Sequence, residues 1–167
     1  SNFTVVHNTA FVQGLVRYWG FVKKLPLYVF SLEMSDEQLL YRQITADLKI
    51  GGNFLREGRI RGKESELKKF CDEYGETQIH IDDNAGQNID AFCDKAIMMH
   101  KKYNFAAVFV DYLQLIRTSL ATKNESREGK VSDMSHKLKQ LAREMRVPVF
   151  EVSQLSRDGK NRAETRP

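Results

Sequence analysis

The chain has 167 residues, 41% of them hydrophobic, which is enough for one domain around a single core. Charged residues make up 29% and the formal net charge is +4, a balance that suits a cytosolic protein with a polyanionic partner. No apolar run approaches the roughly 18 residues of a membrane helix, and Asn8, Gln13 and Arg17 stand where a secretory signal is apolar.

Phe3 to Val6 reads as a short buried strand. Thr9 to Lys24 reads as a helix, with Phe11, Leu15 and Trp19 recurring on one face beside Val12 and Val16. Leu27 to Phe30 is a strand opened by Pro26. Ser35 caps the next helix, with Gln38 completing a capping-box pattern, and Gly51-Gly52 is the expected stop after Leu48. Asn53 to Gly62 reads as a basic connector before a charged helix from Lys63 to Tyr74. A strand from Ile79 to Ile81 is expected to stop at Asp82-Asp83-Asn84, and Asn88 caps a helix running to Tyr103. Ala106 to Val110 is the longest buried strand. Leu120 to Gly129 is expected to be a polar, mobile loop. Val131 to Met145 is a helix with Val131, Met134, Leu138, Leu141, Ala142 and Met145 on one face, and Val149 to Val152 is a further strand. Asp158 to Pro167 is a polar tail. Cys71 and Cys93 lack metal-like spacing and read as buried free thiols, which favours a reducing compartment. His7, His80, His100 and His136 share no spacing that suits zinc.

Strands alternating with helices imply an α/β fold with a mostly parallel sheet. Three strands each deliver a polar group to their C-terminal end: Glu33 after YVFSL, Asp111 after AAVFV, and Gln154 after VFEVS. That edge is where open α/β sheets bind ligands. The set suits phosphate chemistry, with one carboxylate for a metal, one to orient water and one amide to sense product. The residues alone leave other readings open. Asp111 is either a metal ligand or a cap for the next helix. Glu33 is either a site carboxylate or a surface residue before the Ser35 cap. Gln154 alone carries little. Arg117, Lys123, Arg127 and Lys130 follow one strand, and Arg157, Lys160, Arg162 and Arg166 follow another. These are either a solvated face or two basic loops that track a phosphate backbone.

FSLEMSDEQLLYR, VDYLQLI, VSDMSHKLKQLARE and VPVFEVSQLSR, followed by a basic tail ending TRP, closely resemble the RecA-like motor domain of DnaB-type replicative helicases and related phage primase-helicases. The resemblance covers nearly the whole chain. It implies one RecA-like P-loop NTPase domain over residues 1–167, part of a hexameric, Mg²⁺-dependent ATPase that translocates on single-stranded DNA and unwinds duplex. It also implies a bacterial cytoplasmic, nucleoid or phage-infected-cell setting, no membrane, and primase and a helicase loader as further partners. Residue by residue, Glu33 matches the catalytic glutamate, Asp111 the carboxylate that holds Mg²⁺ through water, and Gln154 the switch between nucleotide state and DNA loops. Thr9 matches the Mg²⁺-binding hydroxyl, and Asn8-Thr9-Ala10 the end of the nucleotide-binding motif. Arg117, Lys123, Arg127, Lys130 and Arg157 fall in the expected DNA-binding loops. The glycines and lysine of G-x-x-x-x-G-K-[ST] do not precede Thr9, and Asn8 stands at the lysine position. The expectation is that a loop is missing from the sequence between Val6 and His7. A degenerate phosphate site, in a non-catalytic ring subunit or DNA-binding module, is the alternative, and another RecA-like ring ATPase is the runner-up within the class. The collar domain is expected to precede this segment. The last strands, the second DNA-binding loop and the arginine finger are expected beyond Pro167.

Overall fold

A computed structural model describes residues 8–60, 62–84, 88–111 and 127–152. The four strands among these residues are β1 (Leu27–Ser31), β2 (Ile79–Asp82), β3 (Ala107–Asp111) and β4 (Val149–Val152), all parallel in the order β2-β1-β3-β4. Every residue of β1 and β3 is buried. Their near-continuous apolar runs fit strands covered on both faces. The register pairs Ser31 with Asp111 and Phe30 with Asp82, so the strands end together at one edge.

Helix α1 (Asn8–Val16) lies on one face and widens into a π-helical segment, Arg17–Val22. Val12 packs with Leu27, Val29, Ala107 and Phe109, flanked by Leu15, Val16 and Trp19. Phe11 was expected on this face but is 58% exposed. The row that meets the sheet instead runs through Val12, Leu15, Val16 and Trp19, which turns Phe11 outward. Gly20 sits so close that an added Cβ would lie 2.4 Å from Ile79 Cδ1 and 3.3 Å from Leu27 Cδ1. The end of this helical stretch therefore lies at the start of β1 and β2, and its beginning points to the opposite edge. The same face carries α2 (Asp36–Leu48), α3 (Gly52–Arg56) and α4 (Glu64–Gly75), joined around Ile44, Leu48 and Phe70.

Helices α5 (Ile89–Tyr103) and α6 (Arg127–Met145) cover the other face, over a core that includes Tyr28, Phe30, Phe92, Val108, Met134 and Leu138. Asn88 Oδ1 accepts from the Ala91 amide at 2.8 Å and opens α5 as its spacing predicts.

Several expectations change. α2 stops at Lys49, which takes a left-handed conformation (φ 53, ψ 45), so a lysine and not the glycines ends the helix. Gly51 is instead the N-cap of α3, which occupies part of the expected connector. Asp82 belongs to β2 and is buried, where it was expected to stop the strand. α6 begins at Arg127, so the last residues of the expected polar loop are its first turn. Cys71 is exposed and Cys93 only half-buried. α4 is amphipathic with Phe70 as its inward anchor, which leaves Cys71 one position round the helix facing out. Burial and the nearby Asp90 push the Cys93 thiol up to about 11. The expected strand Phe3 to Val6, the Val6-His7 junction and the tail from Asp158 lie outside the described residues.

Candidate functional site

β1 leads into α2 on one face of the sheet, while the chain after β3 returns through α6 on the other. Neighbouring strands whose connections leave to opposite faces open a crevice at their C-terminal ends. Ser31 and Asp111 are register partners at that crevice, 2% and 3% exposed. Alternation along β3 turns Asp111 to the α1 face, since Ala107 and Phe109 lie there while Val108 and Val110 face α5 and α6.

The Leu32 amide donates to the Asp111 carbonyl at 2.9 Å, which extends the β1–β3 pairing by one bond. Glu33 is the next residue and is exposed at the crevice rim. Ser35 then caps α2: its hydroxyl accepts from the Gln38 amide at 3.3 Å, and its own amide donates to Gln38 Oε1 at 3.2 Å. Glu33 and Asp111 are thus brought to one edge. The start of α1 joins them, because Gln13 borders a cavity with Ser31 and Asp111. Asn8, Thr9 and Ala10 form the helical turn before Gln13, with Ala10 exposed. A helix start offers unpaired amides and the positive end of the macrodipole, which together favour phosphate.

The cavity runs back between α1 and α2 beside Val29 and Ile81 and measures about 40 Å³. That is room for a few water molecules. Gln13 Nε2 is buried against it without a hydrogen-bond partner among the described residues.

Asp82 anchors the adjoining end of β2, a role the sequence reading missed. Its Oδ2 accepts from Tyr28 Oη at 2.8 Å and from Lys95 Nζ at 2.8 Å, and Oδ1 accepts from the Asn84 amide at 3.3 Å. Burial pushes this carboxyl up, but the bonds from Lys95, Tyr28 and Asn84 outweigh burial and hold it below the usual carboxylate range. Burial and the bond to Asp82 drive the Tyr28 phenol far above its ordinary value. The signal was present: a tyrosine inside an apolar strand needs a partner for its hydroxyl. Next in the chain, Asp83 Oδ2 accepts from the Asp36 amide at 3.2 Å and ties this corner to the start of α2.

α6 approaches the same edge from the other face. Lys137 Nζ bonds Asp90 at 2.6 Å in the first turn of α5, and this bond raises the lysine above its ordinary value. Ser135 donates to Glu151 at 3.0 Å. The eight residues Arg127 to Met134 continue past that level by about 12 Å at 1.5 Å per residue. Arg127 and Lys130 thus lie in the first turn of α6 rather than in a loop. Arg117, Lys123, Gln154 and Arg157 lie outside the described residues. Among the described residues no group of three or more His, Cys, Asp or Glu forms a preassembled metal cluster. No described helix is long and apolar enough to cross a membrane.

Comparison with known proteins gives a consistent result. Residues 5–167 match the family described as the DnaB-like helicase C terminal domain. The chain is 38% identical over 139 residues to the replicative DNA helicase DnaB of Rickettsia prowazekii (strain Madrid E), covering 83% of this chain and 28% of that protein. It is 33% identical over 162 residues to the replicative DNA helicase DnaB of Mycobacterium intracellulare, covering 96% of this chain and 28% of that protein. The chain thus spans just over a quarter of the length of these relatives. Among solved structures it is similar to an ATPase domain, with TM-score 0.77 and 30% identity over 95% of this chain and 57% of that one. A structure of a DnaB-like replicative helicase and its interactions with primase gives TM-score 0.77 and 30% identity, over 96% of this chain and 39% of that one.

Proposed function

The chain belongs to the DnaB-like helicase C-terminal domain family and has its RecA-like fold, and from that membership we propose that it is the ATP-hydrolysing motor of a replicative DNA helicase. In the full-length protein it works as a hexameric ring on single-stranded DNA and unwinds duplex. Primase and a helicase loader are its partners, and the bacterial cytoplasm, nucleoid or phage-infected cell is its setting.

The observation that carries this reading is the convergence of Asp111, the Glu33 turn and the start of α1 at one sheet edge. A carboxylate and a threonine hydroxyl are hard oxygen donors that fit Mg²⁺. Thr9 and Asp111 are the residues that would hold it, and the ion supplies charge neutralisation at the phosphates when bound. Asn8, Thr9 and Ala10 present backbone amides to the phosphate groups. Glu33 orients the attacking water and draws off its proton. Gln154, following β4, senses whether the terminal phosphate is present and passes this to the DNA loops. Arg117, Lys123, Arg127, Lys130 and Arg157 grip the DNA backbone, which requires no base readout.

A second reading has one observation in its favour: His7-Asn8 precedes Thr9 with no lysine or glycine. On that reading the chain is a non-catalytic ring subunit or DNA-binding module. Sequencing the gene across the Val6 to Thr9 codons separates the two, since a lysine-bearing loop there supports the motor and a direct junction supports the degenerate site. The activity test uses the full-length protein with Asp111→Ala. The motor reading expects loss of Mg²⁺-dependent ATP binding, whereas unchanged binding removes Asp111 from the site.

A further inference from the structure

The turn that carries Glu33 is fixed at both ends and open in the middle. Ser31 Oγ donates to the Met34 carbonyl at 2.7 Å and so spans Glu33. Inside that span, the Leu32 amide is held by the Asp111 carbonyl at 2.9 Å. On the far side, the Asp36 amide donates to Asp83 Oδ2 at 3.2 Å, and Arg42 Nη1 reaches Met34 Sδ at 3.1 Å. Glu33 is exposed, and among the described residues its carboxylate makes no hydrogen bond or ion pair. Its placement therefore depends on the backbone that bears it.

We propose that Ser31 is a positioning residue for Glu33, the near anchor of a bracket whose far anchor is Asp83. The proposal rests on the reading of Glu33 as the residue that orients water. The physical case lies in the hydroxyl. Ser31 is almost fully buried at the end of β1, where the side chain of an apolar strand residue has no use for a donor. A hydroxyl there closes the turn without bulk and gives the Met34 carbonyl a partner. Without it the Met34–Ser35 peptide is held only on its amide side, by Gln38 Oε1, and its carbonyl side can tilt, which shifts the Glu33 side chain while Asp111 and the start of α1 stay in place. Hydrolysis is sensitive to such shifts because a general base must sit within hydrogen-bond reach of its proton. ATP binding, carried by other groups, is not.

The test is single-turnover and steady-state ATP hydrolysis by the full-length protein. Ser31→Ala is expected to lower kcat by roughly 5- to 50-fold with KM for ATP within about twofold. Ser31→Thr retains the hydroxyl, and the cavity bordered by Ser31 leaves room for its methyl. It is expected to restore kcat to within about twofold. The deciding measurement is Ser31→Ala placed in Glu33→Gln. If Ser31 acts through Glu33, the two losses do not add, and the double variant hydrolyses like Glu33→Gln alone. An unchanged kcat in Ser31→Ala, or an equal further loss in the Glu33→Gln background, overturns the proposal. Failure of the underlying Glu33 reading is distinguishable, because Glu33→Gln alone would then turn over normally. Should Ser31→Ala not fold, exposed Asp83→Ala tests the far anchor: kcat falls several-fold only when Glu33 is present, and an unchanged kcat overturns the bracket.

Discussion

Tyr28→Phe is the most informative change outside the reaction itself. It removes one oxygen from a fully buried ring and leaves the stacking on Phe92 and Phe105 intact. What is lost is the 2.8 Å bond to Asp82 Oδ2, while Lys95 and the Asn84 amide stay. A hydrogen bond to a charged acceptor contributes about 1.5–3 kcal/mol. Lys95 is more than a third exposed and gives the carboxylate some access to water. The lower half of that range, about 1.5–2 kcal/mol, is therefore the expectation. For a domain of this size it corresponds to a fall in Tm of roughly 3–8 °C. The pH dependence follows from the direction of the Asp82 shift. Because its folded value is depressed, its contribution is fully present above the unfolded value of about 3.9 and is lost as pH falls through the folded value. The gap between wild type and Tyr28→Phe should be flat from about pH 8 to 5 and close below about pH 4. Urea unfolding followed by circular dichroism across that range measures it. A Tm within about 1 °C of wild type, or a gap that widens in acid, refutes the description of Asp82 as a buried, hydrogen-bonded carboxylate.

Two further outcomes test the packing and the DNA reading. Gly20→Ala places a methyl 2.4 Å from Ile79 Cδ1 and 2.6 Å from Cγ1, so Ile79 must move. Net destabilisation of about 1–2 kcal/mol is expected after the helix gains from losing glycine, and Ile79→Ala added to it should cost less than its effect alone, as read by urea melts. In the full-length protein, alanines at Arg117, Lys123, Arg127 and Lys130 should flatten the slope of log DNA affinity against log salt by roughly 0.7 for each lost phosphate contact, and an unchanged slope would mark these charges as a solvated face.

The strands were legible in the sequence because buried parallel strands leave apolar runs between turn residues. LYVF, AVFV and the VPVFEV segment needed no tertiary knowledge. The caps at Ser35 and Asn88 were legible because their chemistry is local. The end of α2 at Leu48 was legible, but the residue that stops it was not, since a lysine in a left-handed conformation leaves no compositional trace and Gly51-Gly52 drew the reading instead. The shift of the α1 stripe from Phe11 to Val12 depends on which side meets the sheet, and Phe11 and Val12 are equally apolar. At the site, Glu33 and Asp111 stood out because charge after an apolar strand is costly unless used. Ser31 and Asp82 did not. Their partners, Met34 and Tyr28 with Lys95, become neighbours only when the turn closes and β2 pairs with β1.

The central claim is that Glu33, held beside Asp111 at the β1–β3 crevice, performs the water-directing step of ATP hydrolysis. The direct measurement compares ATP binding and turnover in the full-length protein with Glu33→Gln. The glutamine keeps size and polarity but cannot accept the proton. Binding should stay within about threefold of wild type, while turnover falls by on the order of 10²–10⁴, as for a lost general base. Near-normal turnover with intact binding would contradict the account and place the base elsewhere in the protein.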